Sequence, residues 1–451
     1  MTRKIFGTDG VRGLANQAPM DPETALALGR ALARYFLGKS RKNRIVIGKD
    51  TRLSGYMIEN ALSSGICSMG GEAIFLGPLP TPGIAFITQA MRAAAGVMIS
   101  ASHNPYYDNG IKFFDHDGFK LPDEVEAQLE AMLDGETLKR GPTHGEVGRA
   151  YRVDDAAGRY IEYLKGTFPK ELTLEGLKVV VDCAHGAAYR VAPTVFEELG
   201  AEVVALGVAP NGTNINEDCG ALHPESLRER VRAEGADLGV GLDGDADRLV
   251  LVDERGAILH GDVLMALCAR DLQERNALAQ DTVVATVMSN LGLEIALKRW
   301  GLKLQRVQVG DRYIIEAMRR HHYNFGGEQS GHLIFSDYST TGDGILAALQ
   351  VLSILVRKGA KLSQVADCME VFPQVLLNVR VRQKKDLHQV PEVLRLQQDI
   401  EKTLGEKGRL LLRYSGTEPL LRIMLEGEDQ GQIEKFAQDL KAETEKALGR
   451  A

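Results

Sequence analysis

At 451 residues the chain is too long for one hydrophobic core, so we expect about two to four domains. Its 44% hydrophobic and 25% charged residues are typical of globular proteins, and no apolar run approaches the roughly 18 residues that span a bilayer. A net charge of −7 without a basic block argues against a nucleic-acid partner. The N-terminus lacks the apolar core of a signal peptide, and five scattered cysteines form no CxxC pair, so we expect a cytoplasmic protein with reduced thiols.

Short β-rich runs alternate with amphipathic helical stretches along most of the chain. The predicted strands include residues 44–48, 73–76, 97–99, 178–182, 202–206 and 282–286, and the predicted helices include 192–199, 224–234, 291–300, 344–357 and 362–370. This alternation predicts three α/β domains with largely parallel or mixed sheets. Towards the C-terminus, one strand, a charged helix, two strands and a last helix predict a smaller α+β domain.

Changes in composition mark the predicted domain boundaries. Residues 134–148 contain four glycines and a proline, which is typical of a connection between compact units. A second break falls at 371–373, and a softer one falls at 253–256. We therefore expect domains at residues 1–150, 151–254, 255–370 and 371–451.

The first of four polar loops, Ser100–Pro105, follows an apolar run that ends at Ile99. Serine, asparagine and proline are ordinary turn residues, and no GxSxG elbow surrounds Ser102, so the loop could be a simple strand exit. The alternative is that it presents the Ser102 hydroxyl for chemistry, with His103 beside it.

The second loop carries Asp243, Asp245 and Asp247, spaced two apart. In an extended backbone all three carboxylates would point the same way, and such like charges converge favourably only around a cation. Oxygen ligands select Mg²⁺ or Ca²⁺. An EF-hand is excluded because Arg248 occupies the position that needs glycine, and because the flanking runs predict strands. A solvated acidic turn is the alternative to a metal site.

The third loop spaces Glu328, Ser330 and His332 so that an extended chain would present them on one side. An acceptor, a hydroxyl and a titratable ring suit the binding of sugar hydroxyls. A polar edge strand with glycines would look similar, so the pattern alone leaves both interpretations open.

The fourth loop runs from Arg413 to Arg422 and contains a Ser-Gly-Thr turn. The planar guanidinium of arginine matches phosphate oxygens, and clustered main-chain N–H groups form an anion nest. A glycine turn with flanking arginines on an ordinary surface is the alternative to a phosphate site.

Together the loops supply a hydroxyl, a divalent-metal site, a sugar-binding set and a phosphate-binding set, a combination that resembles the α-D-phosphohexomutase superfamily. The similarity extends along the whole chain and is carried by the strings FGTDGVRG (6–13), ISASHNP (99–105), DGDADR (243–248), VGDRY (309–313) and GEQSGH (327–332). It implies four domains around a central cleft. The amino-sugar branch of the superfamily is most similar, which implies interconversion of glucosamine 6-phosphate and glucosamine 1-phosphate for UDP-N-acetylglucosamine and cell-wall synthesis.

The resemblance also implies a role for individual residues. Ser102 would be a phosphoserine that exchanges its phosphoryl group through a bisphosphorylated sugar, and with the three aspartates it would hold one Mg²⁺. Arg12 and Lys112 would lie beside the transferring group, while Lys112, His103 or His332 would move protons. The implied substrate contacts are Asp311, Arg312, Glu328 and Ser330 for the sugar, and Arg413, Ser415, Gly416, Thr417 and Arg422 for phosphate.

Three other functions remain open from the sequence. The same chemistry could act on glucose or mannose phosphate, or the fold could serve a catalytically silent phosphosugar-binding protein. Retention of Ser102 with all three aspartates argues against the silent protein. A metal-dependent serine phosphatase would differ by net phosphate release. We expect a phosphosugar as the partner and neither nucleic acid nor membrane, and a homodimer stays open.

Overall fold

A computed structural model describes residues 5–7, 9–37, 43–133, 135, 138, 141–415 and 419–449. The chain divides into two compact units. One consists of Met1–Met288 with Leu304–Asp367, and the other of Ser289–Lys303 with Cys368–Ala451. Within the part of the chain that is described, no helix has the length and apolarity needed to cross a membrane.

The first sheet has six strands in the order β1-β5-β4-β2-β3-β6. They are β1 (Val11–Leu14), β2 (Arg44–Lys49), β3 (Glu72–Pro78), β4 (Ala95–Ile99), β5 (Asp108–Phe114) and β6 (Ala150–Arg152). Strand β5 runs antiparallel to β1 and β4, whereas the other neighbours are parallel, so the sheet is mixed. The helices in this part of the chain are α1 (Pro22–Phe36), α2 (Ser54–Ser68), α3 (Thr81–Ala90) and α4 (Asp123–Leu133).

The β4–β5 hairpin positions the Ser100–Pro105 loop. All five residues of β4 are buried, as its apolar sequence predicts, and the loop begins where the strand ends. The strand register places Lys112 opposite Met98 on β4 and Arg12 opposite Gly110 on β5. Two cationic side chains therefore lie on strands next to the loop that carries Ser102.

The second sheet has four strands in the order β10-β9-β7-β8. They are β7 (Lys178–Asp182), β8 (Glu202–Leu206), β9 (Leu238–Leu242) and β10 (Leu249–Asp253), and the helices are α5 (Ala156–Gly166), α6 (Val191–Glu198) and α7 (Glu225–Glu234). Strand β7 is parallel to β8 and β9, while β9 and β10 form an antiparallel hairpin. The turn of that hairpin carries the three aspartates.

The third sheet has the order β12-β11-β13-β14. Its strands are β11 (Thr282–Thr286), β12 (Lys303–Val307), β13 (Phe325–Gly327) and β14 (Leu333–Phe335), and the helices of this region are α8 (Gly261–Glu274), α10 (Asp311–His321), α11 (Gly344–Lys358) and α12 (Leu362–Val365). Strand β13 is parallel to β11 and antiparallel to β14. The β13–β14 turn carries Glu328, Ser330 and His332.

The second unit contains a three-stranded antiparallel sheet in the order β15-β17-β16. Its elements are α9 (Leu291–Arg299), β15 (Gln374–Arg380), α13 (Pro391–Leu404), β16 (Gly408–Tyr414), β17 (Leu420–Gly427) and α14 (Gln430–Leu448). The side chain of Asn290 donates to the Phe372 carbonyl at 2.9 Å and accepts from the Phe372 amide at 3.0 Å. This reciprocal pair ties the start of α9 to the chain just before β15.

The expected fold class is confirmed: mixed α/β sheets in the first three regions and a smaller α+β region with an antiparallel sheet. The helix expected over 362–370 is wrong in length, because α12 ends at Val365. The chain beyond it packs so closely on α9 that a Cβ on Gly292 would lie 1.8 Å from the Glu370 carbonyl oxygen. The chain after Val365 therefore continues as a loop that packs on α9 at Glu370.

Candidate active site

Ser102 lies on the loop after β4 and is buried, with 2% of its surface exposed. Its backbone is left-handed, with φ of 52°. The hydroxyl donates to Asp243 Oδ2 at 2.7 Å, and Oγ lies 3.4 Å from His103 Nδ1. The structure therefore places the expected nucleophile directly against the aspartate loop.

The three aspartates of the β9–β10 turn are all buried, and one oxygen of each lies within 4.8 Å of the others. The expected extended backbone is wrong: the loop is a turn in which Ala246 has φ of 57°. Within the described chain, Oδ1 of Asp245 and Oδ1 of Asp247 are buried without a hydrogen-bond partner. Buried carboxylate oxygens of this kind fit a hard divalent cation that takes oxygen ligands.

The two ends of this trio differ in their electrostatics. Burial, then Asp247 and Asp245, raise the pKa of Asp243. Burial alone would also raise the pKa of Asp247, but Lys112 and other cationic neighbours hold it well below its usual range. The neighbouring cations thus stabilise the negative charge of Asp247 more than that of Asp243.

Lys112 on β5 and Thr81 on α3 both hold the middle aspartate, Asp245. Lys112 Nζ donates to Asp245 Oδ2 at 2.8 Å and lies 3.7 Å from Asp247 Oδ2. Thr81 Oγ1 donates to the same Asp245 oxygen at 2.6 Å. Lys112 is not among the residues that line the cavity beside Ser102, so it lies beneath the site and not on its surface.

A cavity of about 470 Å³ opens beside Ser102. The predicted residues that line it are Arg12, Ser102, His103, Asp247, Asp311, Arg312, Glu328 and His332. Within this group, Arg312 Nη2 lies 3.2 Å from Glu126 Oε2 on α4. The cavity wall carries charges of both signs, which suits a ligand with phosphate and hydroxyl groups.

Ser330 is not brought together with Glu328 on this wall. Residues 328–332 form a tight turn and not the expected extended chain: the Gly331 amide donates to the Glu328 carbonyl, and the Glu328 amide donates to the His332 carbonyl. Ser330 instead lines a second cavity of about 320 Å³, with Asp243. Turn geometry therefore separates side chains that simple alternation would align.

The two histidines of the cavity wall are shifted in opposite directions. Burial and the nearby Arg248 lower the pKa of His103 to about 4. Burial alone would lower the pKa of His332 too, but Asp247 and Asp311 raise it. His332 Nδ1 lies 3.7 Å from Asp247 Oδ1, and its Nε2 lies 3.6 Å from Asp311 Oδ2.

Four further charged residues line the cavity and were not among the predicted site residues: Asp9, Lys120, Asp123 and Arg248. Lys120 Nζ bridges Asp9 Oδ1 at 2.5 Å and Asp311 Oδ2 at 2.6 Å. Asp9 and Arg248 stand inside two of the strings that carry the family resemblance, so a signal for them existed. Lys120 follows β5 in a run without any motif, and nothing in the sequence marks it.

In the second unit, Arg413 and Arg422 are direct partners across β16 and β17. Burial and Arg422 lower the pKa of Arg413. Nε of Arg422 is a buried donor without a hydrogen-bond partner among residues 5–415 and 419–449 that are described. Like charges directly opposite each other on a sheet are destabilising, so this pair is suited to an anion.

The loop between these arginines is only partly described. Ser415 is buried, its amide donates to the Leu420 carbonyl at 2.8 Å, and its own carbonyl accepts from Lys384 Nζ at 2.6 Å. Gly416 and Thr417, which were also predicted to contact phosphate, lie outside the described residues.

The sequence matches four domains of one protein family over nearly its whole length. They are described as phosphoglucomutase/phosphomannomutase alpha/beta/alpha domain I over residues 3–140, domain II over 158–256, domain III over 260–372 and the C-terminal domain over 376–443.

Curated relatives and solved structures agree with these matches. The phosphoglucosamine mutase of Citrifermentans bemidjiense is 59% identical, with 99% of each chain covered. A phosphoglucomutase/phosphomannomutase family protein from Burkholderia thailandensis has a TM-score of 0.82 at 24% identity, covering 98% of this chain and 97% of that one. N-acetylphosphoglucosamine mutase of Aspergillus fumigatus, solved with GlcNAc-6P and magnesium, has a TM-score of 0.67 at 19% identity, covering 99% and 96%.

Proposed function

The chain belongs to the phosphoglucomutase/phosphomannomutase family, and on that premise we propose that it interconverts glucosamine 6-phosphate and glucosamine 1-phosphate. The relative at 59% identity over the full length carries the name of this activity. The observation that carries the proposal is the Ser102 hydroxyl, which is held 2.7 Å from Asp243 within a buried aspartate trio beside a charged cavity.

Ser102 is the proposed phosphoryl carrier. Its phosphoserine form gives its phosphoryl group to one hydroxyl of the monophosphate, and the bisphosphate that results returns its other phosphoryl group to Ser102. A bisphosphorylated sugar is accordingly the proposed activator, since it phosphorylates an empty serine. Mg²⁺, held by the three aspartates and the serine oxygen, would neutralise negative charge on the transferring group.

Cationic side chains of the cavity wall are the proposed stabilisers of the transferring group. Arg12 and Arg248 both line the cavity, and arginine remains charged at any working pH. Lys112 acts from beneath by holding Asp245 in place. The proton of the attacking hydroxyl must pass to a group that faces the cavity, which favours His103 and His332 over Lys112.

Two groups of residues are the proposed substrate ligands. Asp311 and Glu328 line the cavity and present carboxylates to sugar hydroxyls, and Glu328 is oriented by the Gly310 amide at 3.1 Å. Arg413 and Arg422 are the proposed phosphate ligands, together with Ser415, Gly416 and Thr417. Among the described residues neither arginine has an ion-pair partner, which supports this assignment.

We also propose four domains at residues 1–150, 151–254, 255–370 and 371–451, and a cytoplasmic location for the reaction. The four separate family matches support the division, since their limits fall close to these boundaries.

A side-by-side assay of three substrates tests the proposal. Glucosamine 6-phosphate, glucose 6-phosphate and mannose 6-phosphate are supplied with Mg²⁺ and a catalytic amount of bisphosphate, and Ser102→Ala is the blank. We expect the highest kcat/KM for the amino sugar, because its ammonium group is attracted to the carboxylates of Asp311 and Glu328. That single solvated pair contributes only about 0–1 kcal/mol, so measurable activity on glucose phosphate is also expected.

The outcomes of this assay separate the alternatives. An equal or higher kcat/KM for glucose or mannose phosphate would overturn the amino-sugar preference and leave the mutase reaction standing. Net release of inorganic phosphate in place of isomerisation would identify a phosphatase. Binding of all three sugars without turnover would identify a phosphosugar-binding protein.

A further inference from the structure

The side chain of Arg52 binds the main chain of the Ser102 loop. Arg52 follows β2 and is fully buried. An arginine side chain has five N–H donors, and here each one has an acceptor. Nε donates to Asp50 Oδ2 at 2.8 Å. The other four donors reach main-chain carbonyl oxygens, those of Ser102, Asn104 and Pro105 in the loop and that of Asp108 at the start of β5.

The backbone conformation of Ser102 requires hydrogen bonds that hold the loop in place. Its φ of 52° is a conformation that residues other than glycine rarely adopt, so surrounding contacts must hold it. The Ser102 amide donates to Ser100 Oγ at 2.9 Å, and the Ser100 hydroxyl donates to Asp50 Oδ2 at 2.6 Å. The Ser102 carbonyl accepts from Arg52 Nη2 at 2.9 Å. Both peptide groups that flank the reactive side chain are thus fixed by the Asp50–Arg52 pair.

A second amide group reinforces the same carbonyls. Asn216 lies between β8 and α7, and its Nδ2 donates to Ser102 O at 2.9 Å and to Asn104 O at 3.1 Å. The aspartate loop packs on the same spot, since a Cβ on Gly244 would lie 2.6 Å from Ser102 O. A small shift of this carbonyl would therefore move Ser102 relative to the aspartates.

We propose that Arg52, with Asn216 as a second donor, is a positioning residue for phosphoryl transfer: it holds the Ser102 loop so that Oγ points at the aspartate trio. Neither side chain lines the cavity beside Ser102, so neither touches the substrate there. The inference rests on the proposed function, because Ser102 needs an accurate position only if its oxygen reacts.

Substitution of Arg52 by lysine distinguishes the positioning of the Ser102 loop from simple compensation of the Asp50 charge. Arg52→Lys keeps a cation next to the buried Asp50 carboxylate, but a single ammonium has three donors and cannot reproduce the planar fork that binds four carbonyls. A matched control is Arg357→Lys on α11. Arg357 Nη2 binds both carboxylate oxygens of Asp271 at 2.9 Å, and neither residue lines the cavity.

The test is a single-turnover measurement on the full-length protein. Dephosphorylated protein is mixed with glucose 1,6-bisphosphate and Mg²⁺, and phosphorylation is followed by intact-mass spectrometry. The transfer breaks one P–O bond of the bisphosphate and forms the Ser102 Oγ–P bond, while the hydroxyl proton passes to the departing sugar oxygen. Steady-state kcat and KM and the thermal midpoint are measured on the same samples.

We expect Arg52→Lys to slow phosphorylation and to lower kcat by about 10- to 100-fold, with KM nearly unchanged, because misplacing a reacting atom weakens the transition state more than binding. Asn216→Gly keeps the φ of 60° at that position and should lower kcat in the same way by a smaller factor. Arg357→Lys should keep the parental rates even if its thermal midpoint falls.

Parental rates in Arg52→Lys would overturn the inference, as would an equal loss of kcat in Arg357→Lys at the same thermal midpoint. If Arg52→Lys does not fold, Asn216→Gly decides the question, and a parental kcat in that variant overturns the inference. A parent protein that accepts no phosphoryl group overturns the proposed function and this inference with it. A phosphorylated parent with unaffected variants overturns this inference alone.

Discussion

The Ser102 site and the arginine pair of the second unit differ in how their charged side chains are paired. Around Ser102, acids and cations compensate each other: Lys112 contacts Asp245, and Lys120 bridges two acids on separate segments. Arg413 and Arg422 face each other across two strands, and the described ion pairs include none at either residue.

This difference predicts how each site should respond to the loss of a charged side chain. Removing one member of a compensated buried ion pair leaves a partner unpaired, so loss of Lys112 or Lys120 should affect both stability and activity. Removing one of two like charges relieves repulsion, so a change at the arginine pair should weaken ligand binding without destabilising the fold. The predictions below compare the two sites through activity, metal binding, ligand affinity and stability, beginning with the largest effect.

Ser102→Ala should reduce turnover by at least about 10³-fold, because loss of a nucleophile removes the whole covalent pathway. The fold should remain, since the main-chain bonds of the loop do not involve Oγ. Mutase activity and circular dichroism measure the two effects. Ser353→Ala is the control, because Ser353 is an equally buried serine on α11 whose hydroxyl donates to Gln350. Substantial turnover by Ser102→Ala would contradict the phosphoserine pathway.

Mg²⁺ should raise the unfolding free energy of the parent protein by about 2.7 kcal/mol at a hundred times its dissociation constant. Asp243→Asn should abolish this response and should not destabilise the metal-free protein, because burial and two neighbouring carboxylates disfavour the charged form there. Denaturant unfolding with EDTA or Mg²⁺ measures both. Asp253→Asn, in the same hairpin, should keep the response. A full Mg²⁺ response in Asp243→Asn would place the metal elsewhere.

Arg413→Ala should weaken binding of both sugar monophosphates by about 10- to 100-fold, which corresponds to the loss of one charge-assisted contact of about 1.5–3 kcal/mol. Its thermal midpoint should match or exceed that of the parent, since Arg422 loses a like-charged neighbour. Calorimetric titration and thermal unfolding measure the two quantities. Arg395→Ala, on the exposed face of α13, should change neither. A destabilised variant with parental affinity would reverse the contrast between the two sites.

The aspartate loop shows how far sequence alone reaches. The flanking strands follow from the apolar runs 238–242 and 249–253, and three acids in one loop imply a cation. The turn that brings the acids together was not predictable, because it depends on a left-handed Ala246 and on support from Thr81, which is distant in sequence. Residue types therefore identify the chemistry, while long-range contacts set the geometry.

The same limit explains the misplaced Ser330 and the missed Lys120. The two-residue period of an extended strand would place the side chains of Ser330 and Glu328 on one face. The chain turns here instead, and Gly331 has φ of 83°. Lys120 becomes a site residue only because folding brings Asp9 and Asp311 to it from 111 and 191 positions away. Neither fact leaves a local mark in the sequence.

The smallest predicted effect is the pH dependence of stability caused by Asp343. Asp9 has cationic partners and Asp343 has neutral hydrogen-bond donors, and the pKa values of these two buried acids shift in opposite directions. Burial would raise the pKa of Asp9, but Lys112, Lys120 and Arg12 hold it well below its usual range. Burial raises the pKa of Asp343 to about 6, although the Tyr160 hydroxyl donates to it at 2.5 Å and two helix amides also donate.

Because the folded pKa of Asp343 lies above the unfolded value of 3.8, its protonated form stabilises the fold at low pH, and that stabilisation is lost as pH rises through about 6. Between pH 5 and pH 7 the unfolding free energy of the parent should fall by about 1 kcal/mol more than that of Asp343→Asn. The variant keeps a side-chain acceptor at the N-cap of α11, so its helix should remain. Denaturant unfolding at pH 5, 6 and 7 measures the difference, and parallel pH profiles would show that neutral donors compensate Asp343 as fully as cations compensate Asp9.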